Sequence, residues 1–105
     1  MGMGNMNQML KQAQKLQQDM LKAKEAAEQQ TVTASAGGGL VNVVVSGKME
    51  LLELKIDPKA FDPDDPEMLE DLIKAAVNRG IGEAQTMLEQ AMGKLTGGLN
   101  IPGLF

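Results

Sequence analysis

Few side chains here could do chemistry, and most of them are lysines and carboxylates. The chain has no histidine and no cysteine. The imidazole bases and thiolate nucleophiles of many active sites are therefore missing. Ser35 and Ser46 stand in no motif that supplies an activating partner. Gly37-Gly38-Gly39 precedes a valine-rich stretch rather than a helix, and no Gly-Lys-Ser/Thr follows it, since Gly47-Lys48 runs into Met49. It reads as a turn, neither a phosphate loop nor a dinucleotide fingerprint. Asp62-Pro63-Asp64-Asp65-Pro66-Glu67 is the one stretch that suggests a cation site. A calcium loop needs alternating ligands around a central glycine, and Pro63 and Pro66 interrupt that pattern. Loop charge and helix capping account for it. The expectation is no catalytic residue, no metal, no cofactor and no small-molecule substrate, hence not an enzyme.

Lys11, Lys15 and Lys22 are the residues that remain. Their spacing returns each to one side of a helix, and the element that must position them is the stretch from Asn5 to Gln30. Met6, Met9, Ala13, Leu16, Met20, Ala23 and Ala27 alternate in steps of three and four there, a heptad seam. At 100° per residue the lysines lie about 200° round from that seam. Charge on an outer face is what any amphipathic helix shows. This stripe differs in its company, because it has no interspersed carboxylate: Gln8, Gln12, Gln14, Gln17 and Gln18 fill its surroundings and Asp19 is off to one side. Lysine without arginine or aromatic residues suits phosphate contact rather than base reading or single-strand stacking.

A chain of 105 residues fits one domain with a modest core. Aromatic residues are limited to Phe61 and Phe105, and nine methionines supply pliable apolar bulk instead. No apolar run is long enough for a membrane span, and no signal-peptide core opens the chain. Met1-Gly2 does not read as a myristoylation signal, because position 6 is Met. The net charge of −4 is divided unevenly: residues 1–48 carry +2 and residues 49–105 carry −6. An acidic total argues against nucleic acid, but a local basic surface can still bind an anion.

After residues 1–4, which read as frayed, Asn5 or Asn7 can cap the first helix. Thr31 to Ala36 alternates polar and apolar, as a half-buried strand does. The triple glycine reverses the chain. Leu40 to Ser46 forms a second strand with Val41, Val43 and Val45 on one face, and Met49 to Ile56 a third, with Leu52, Leu54 and Ile56 in phase. Short turns imply an antiparallel meander. Asp57-Pro58 stops the sheet. Asp65 caps a second helix, Pro66 fits its first position, and the helix is expected to end near Met92 with Gly93 as terminator. Gly80 centres its buried face, and Gly80-Ile81-Gly82 is a candidate bend.

The expected fold is α+β: a long N-terminal helix, a three-stranded antiparallel meander and a long C-terminal helix. One α-β-β-β-α domain covers 1–95, and 96–105 is a flexible tail. Helices of roughly 39 Å overhang strands of about 23 Å by roughly 15 Å. A homodimer is expected to cover the overhang, burying the seams, the edge strands or both. Its candidate interface residues are Met6, Met9, Ala13, Leu16, Met20, Val41, Val43 and Val45.

These features in this order resemble a family. They are the Gln/Lys/Met-rich first helix, the glycine turn before Leu40-Val41-Asn42-Val43-Val44-Val45-Ser46-Gly47, then Ile56-Asp57-Pro58, Leu69-Glu70-Asp71-Leu72-Ile73-Lys74-Ala75-Ala76-Val77-Asn78, and Gly97-Gly98-Leu99 with Pro102-Gly103. The chain is similar to the YbaB/EbfC family of bacterial nucleoid-associated proteins over nearly its whole length. The resemblance implies a tweezer-shaped homodimer that binds double-stranded DNA and alters its conformation, in the cytoplasm and on the nucleoid. Roles in nucleoid organisation, gene regulation and DNA protection come with it. It also implies DNA contacts on the helices: Lys11, Lys15 and Lys22 on the first, Lys74 and Arg79 on the second. Arg79-Gly80-Ile81-Gly82 departs from the family pattern, which has a helix former such as Ala there. The alternative is a protein–protein adaptor that grips through the helix arms or the tail.

Overall fold

A computed structural model describes the backbone of residues 2–96 and the side chains of 5–94. The element order is α1 (Gly2–Gln29), β1 (Thr31–Ala36), β2 (Val41–Ser46), β3 (Leu51–Ile56), a short 3-10 turn (Pro58–Ala60) and α2 (Pro66–Thr96). The chain is elongated, 78 × 24 × 16 Å. The expected tail lies outside the described residues except for Thr96.

α1 begins at Gly2, before either asparagine expected to cap it. α2 runs unbroken through Gly80-Ile81-Gly82 and past Gly93 to Thr96. The helix was expected to end near Met92 at Gly93; instead Lys94 lies exposed in its last turn. A lysine stem can lie along an apolar face there while its ammonium stays in water.

The sheet is antiparallel in the order β1-β2-β3, so β1 and β3 are edges. Gly37, Gly38 and Gly39 all have positive φ, the conformation that makes the β1–β2 turn a glycine turn. The amide of Asn42 donates to the Gly39 carbonyl at 2.8 Å. The β2–β3 turn is closed by Ser46, whose buried hydroxyl accepts from the amides of Lys48 and Glu50. Ser46 is thus a turn residue. Across β2–β3 the register slips between Val44 and Val45, pairing Glu53 with Val44 and Leu51 with Val45. Leu52 is the extra residue, and its phase with Leu54 is lost at this bulge.

α2 lies over β1 and β2. Beneath it Val41, Val43 and Val45 are 0%, 1% and 0% exposed, and with Ala36, Ala76 and Ala84 they form the core. The valines belong to the chain's own interior, which corrects their expected place at a dimer interface. α2 does not cover β3, and Leu51, Leu52 and Leu54 are exposed there.

Gly80 explains how α2 comes so close to the sheet. A Cβ there would stand 2.7 Å from Val45 Cγ2 and 3.1 Å from Val43 Cγ2. β-branched side chains are stiff and have little room to yield. At Gly82 a Cβ would meet nothing within 4 Å. We expect Gly82→Ala to stabilise the protein by about 1 kcal/mol through helix propensity alone. Gly80→Ala is expected to destabilise it by about 1–2 kcal/mol, since the clash outweighs the same gain. Chemical denaturation of the two variants checks the opposite signs.

Candidate nucleic-acid interface

α1 positions the lysines through three faces. The first packs on α2: Leu16, Met20 and Ala23 are half-buried and Ala27 is 1% exposed. Part of the seam expected to need a second chain is therefore covered within this one, Leu16 and Met20 included. Met6, Met9 and Ala13, further up the seam, remain exposed. The second face lies beside the first and carries Leu10 and Leu21, 59% and 58% exposed. It forms one wall of an apolar groove of about 520 Å³ lined by Gln14, Gln17, Gln18, Met20, Leu21, Lys24 and Met92. The third face carries Lys11, Lys15 and Lys22. At 100° per residue it stands about 110° from the Leu10–Leu21 stripe and about 135° from the α2-facing side.

All three lysines are exposed. Among the described residues, none of them has a carboxylate oxygen within 4 Å. Their ammonium groups project from about 16 Å of helix. Asp19 and Glu25 flank the stripe; Asp19 stands one turn from both Lys15 and Lys22 and is half-buried, while Glu25 stands one turn from Lys22 and is exposed. Neither makes an ion pair within 4 Å of these lysines, so both act as diffuse counter-charges on the stripe. We expect Asp19→Asn to tighten duplex binding about threefold at low salt, since a nearby surface charge is worth only a few tenths of a kcal/mol. Fluorescence anisotropy on a short duplex measures it.

The structure does not bring Lys74 and Arg79 to this stripe. Measured along the helices from the level of Met92 and Gln17, which share the groove, Lys74 lies about 27 Å down α2, about 36 Å from the level of Lys11 and about 20 Å from that of Lys22. Lys74 stands 3.8 Å from Asp71, with Glu67 and Glu70 on the same turns of α2. That exposed pair is worth little, but the acidic setting disfavours phosphate. The Arg79 guanidinium donates to the Ser35 carbonyl at 2.7 Å. It ties α2 to the edge strand β1 and occupies a group on which another strand could have paired.

The acidic loop is organised locally. Asp62 accepts from the Asp64 amide at 3.0 Å and Asp65 from the Met68 amide at 3.2 Å, the latter capping α2 as expected. Among the described residues no cluster of carboxylates is arranged for a metal ion, and no helix is long and apolar enough to cross a membrane.

The Leu10–Leu21 stripe was missed in the sequence because the heptad seam absorbs the helical periodicity. Two leucines about three turns apart, separated by glutamines, carry little signal beside it.

The chain is similar in sequence to several known proteins and in fold to a solved one. A nucleoid-associated protein of Desulforamulus reducens is 58% identical over 102 residues, covering 97% of each chain. One of Alkaliphilus metalliredigens is 55% identical, covering 99% of this chain and 94% of that protein. The crystal structure of the uncharacterized protein HP0035 from Helicobacter pylori superposes with a TM-score of 0.61 at 23% identity, covering 74% of this chain and 90% of that one, a likeness of fold. The model of the YbaB/EbfC DNA-binding family matches residues 3–99. With that match running from the tip of α1 through the sheet to beyond α2, the chain belongs to the YbaB/EbfC DNA-binding family.

Proposed function

We propose that the protein binds double-stranded DNA through its phosphate backbone, with little sequence preference, by the Lys11–Lys15–Lys22 face of α1. It does so as a homodimer associated with the nucleoid. The observation that carries this reading is the composition of that face: exposed lysines with no carboxylate within 4 Å, no arginine fork and no aromatic platform. Such a face can neutralise phosphates but has no group shaped to read a base edge. The relatives named nucleoid-associated proteins support the setting. Lys74 and Arg79 act in the fold rather than on DNA.

Two copies present six lysines. If about six phosphates are engaged, log affinity falls against log salt with a slope near −5, a loss of about a thousandfold between 50 and 200 mM. Anisotropy titrations over salt, on duplexes of contrasting sequence, test both parts. A flat salt response, or a tenfold preference among unrelated duplexes, would refute the proposal.

The dimer is proposed to form on β3. This edge has the uncovered leucines, whereas the β1 edge holds Arg79 against its Ser35 carbonyl. The double change of Leu52 and Leu54 to Glu is expected to give a folded monomer by sedimentation velocity. The valine core lies on the central strand β2, under α2, and should persist by circular dichroism. A dimer that survives this change would sink the β3 assignment.

A further inference from the structure

Lys94 stands in the last turn of α2, exposed, and among the described residues no carboxylate oxygen lies within 4 Å of its ammonium group. In sequence it reads only as a sign that the helix is ending. Its place in the arm follows from that of Met92. α1 descends to the sheet and α2 leaves it, so the two helices run antiparallel. The buried Ala84 and the half-buried Met87 and Ala91 mark the inward side of α2. At 100° per residue Met92 lies about 105° round from that side, and Lys94 about 55° round in the opposite sense. Met92 lines the groove that Leu21 walls on α1. Lys94 therefore points to the other side of the helix pair. On α1 the groove stripe and the lysine face also part from the α2-facing side in opposite senses, by about 120° and about 130°. Lys94 thus shares one side of the arm with Lys11, Lys15 and Lys22.

We infer that Lys94 is a DNA-contacting residue, and that the basic face spans both helices of the arm rather than α1 alone. The inference rests on the duplex-binding reading given above and adds to it a contact from α2. Height agrees with side. Lys94 is two residues beyond Met92, and Lys15 is two residues above Gln17, which shares the groove with Met92, so the two lysines stand at about the same level. Packed helix axes lie about 8–10 Å apart. Lysine stems are long and flexible, so both ammonium groups can take neighbouring phosphates of one duplex. The carboxylates of α2 leave this corner clear. Glu89, the last of them in the chain, lies about 140° round from Lys94, and Glu83, on the same side as Lys94, is about 16 Å further down. Asp19 is the carboxylate on this side of α1, half-buried and about 6 Å below Lys15. Gln90, exposed and one turn below Lys94, sets a neutral hydrogen-bonding group between them. A lysine in a last turn also offsets the partial negative charge of the helix end. That role alone would move stability and leave the salt dependence of DNA binding unchanged.

Anisotropy titrations of a short duplex over salt test the contact in the full-length protein. A dimer carries Lys94 twice. Lys94→Gln is expected to weaken binding at 50 mM salt at least about fivefold and to make the slope of log affinity against log salt shallower by about two. Lys24→Gln removes the same charge from the groove side of the arm and should weaken binding by less than about twofold. An effect of Lys94→Gln no greater than that of Lys24→Gln would overturn the inference. The triple change K11E/K15E/K22E separates the two levels of the reading. Binding that survives it overturns both the lysine face and its extension onto α2. Binding lost there, with Lys94→Gln no different from Lys24→Gln, removes only the contact from α2. The chain's lack of cysteine allows a second readout. A photo-crosslinker on the Gln90→Cys variant should capture the duplex, and the same group on Gln17→Cys, in the groove, should not. Equal capture at the two positions would count against a face shared by both helices.

Discussion

Reversing the three lysines to give K11E/K15E/K22E is expected to abolish most DNA binding. Each change replaces an attraction to phosphate with a repulsion, and a dimer carries each change twice. The salt slope near −5 should collapse toward zero, and affinity at 50 mM salt should fall by at least about a hundredfold. The fold should be untouched. All three side chains are exposed, and Lys and Glu have similar helix propensities. Circular dichroism and the thermal midpoint serve as the control. Lys74→Glu, on an acidic stretch of α2 about 20 Å along the helices from Lys22 and about 36 Å from Lys11, should alter affinity by less than about threefold. If K74E weakened binding as much as the triple change, the lysine face of α1 would lose its claim.

The second large effect is structural. Gly47 follows β2 directly beneath the end of α1. A Cβ there would stand 2.1 Å from the Ala27 carbonyl oxygen, 2.7 Å from its carbon and 2.8 Å from Glu28 Cα. These are backbone atoms, so no rotamer change relieves the clash. The same junction holds two hydrogen bonds, from the Gly47 amide to the Gln30 carbonyl at 3.0 Å and from the Gln30 amide to the Ala27 carbonyl at 3.1 Å. Gly47→Ala must lift the base of α1 off the turn or break this pair. We expect a loss of at least about 3 kcal/mol, a large fraction of the stability of a domain this size. The thermal midpoint should fall by at least about 12 °C. A calorimetric scan decides it, and a fall under 4 °C would show that the junction yields more easily than its geometry implies.

Much of the fold was legible because each element carries a strong local signal. The heptad seam announces α1, the alternation in Val41-Asn42-Val43-Val44-Val45 announces β2, and Asp65-Pro66 marks the start of α2. The boundaries were less legible. A glycine at position 93 and a lysine at 94 look like a stop, but neither forbids helix when the turn is exposed. Alternation also says that one face of β2 is buried without saying by what, so the valines passed as interface until α2 was found over them. The bulge at Leu52 and the Arg79–Ser35 bond depend on partners far away in sequence, which no local pattern encodes. For the lysines, sequence gave the common face, and the structure added their exposure and their separation from Lys74 and Arg79.

The arm joins α1 and α2, elements distant in sequence. Leu21 and Met92 meet across the groove although about 70 residues separate them, the kind of pairing that closes late in folding. During synthesis α1 emerges before α2, so the seam of Met and Leu stays bare until α2 has also left the ribosome. The sheet and the first half of α2 can assemble without it. α1 is therefore held in place only once α2 is made, and premature termination within α2 should yield chains with a formed core and an unsupported, sticky first helix.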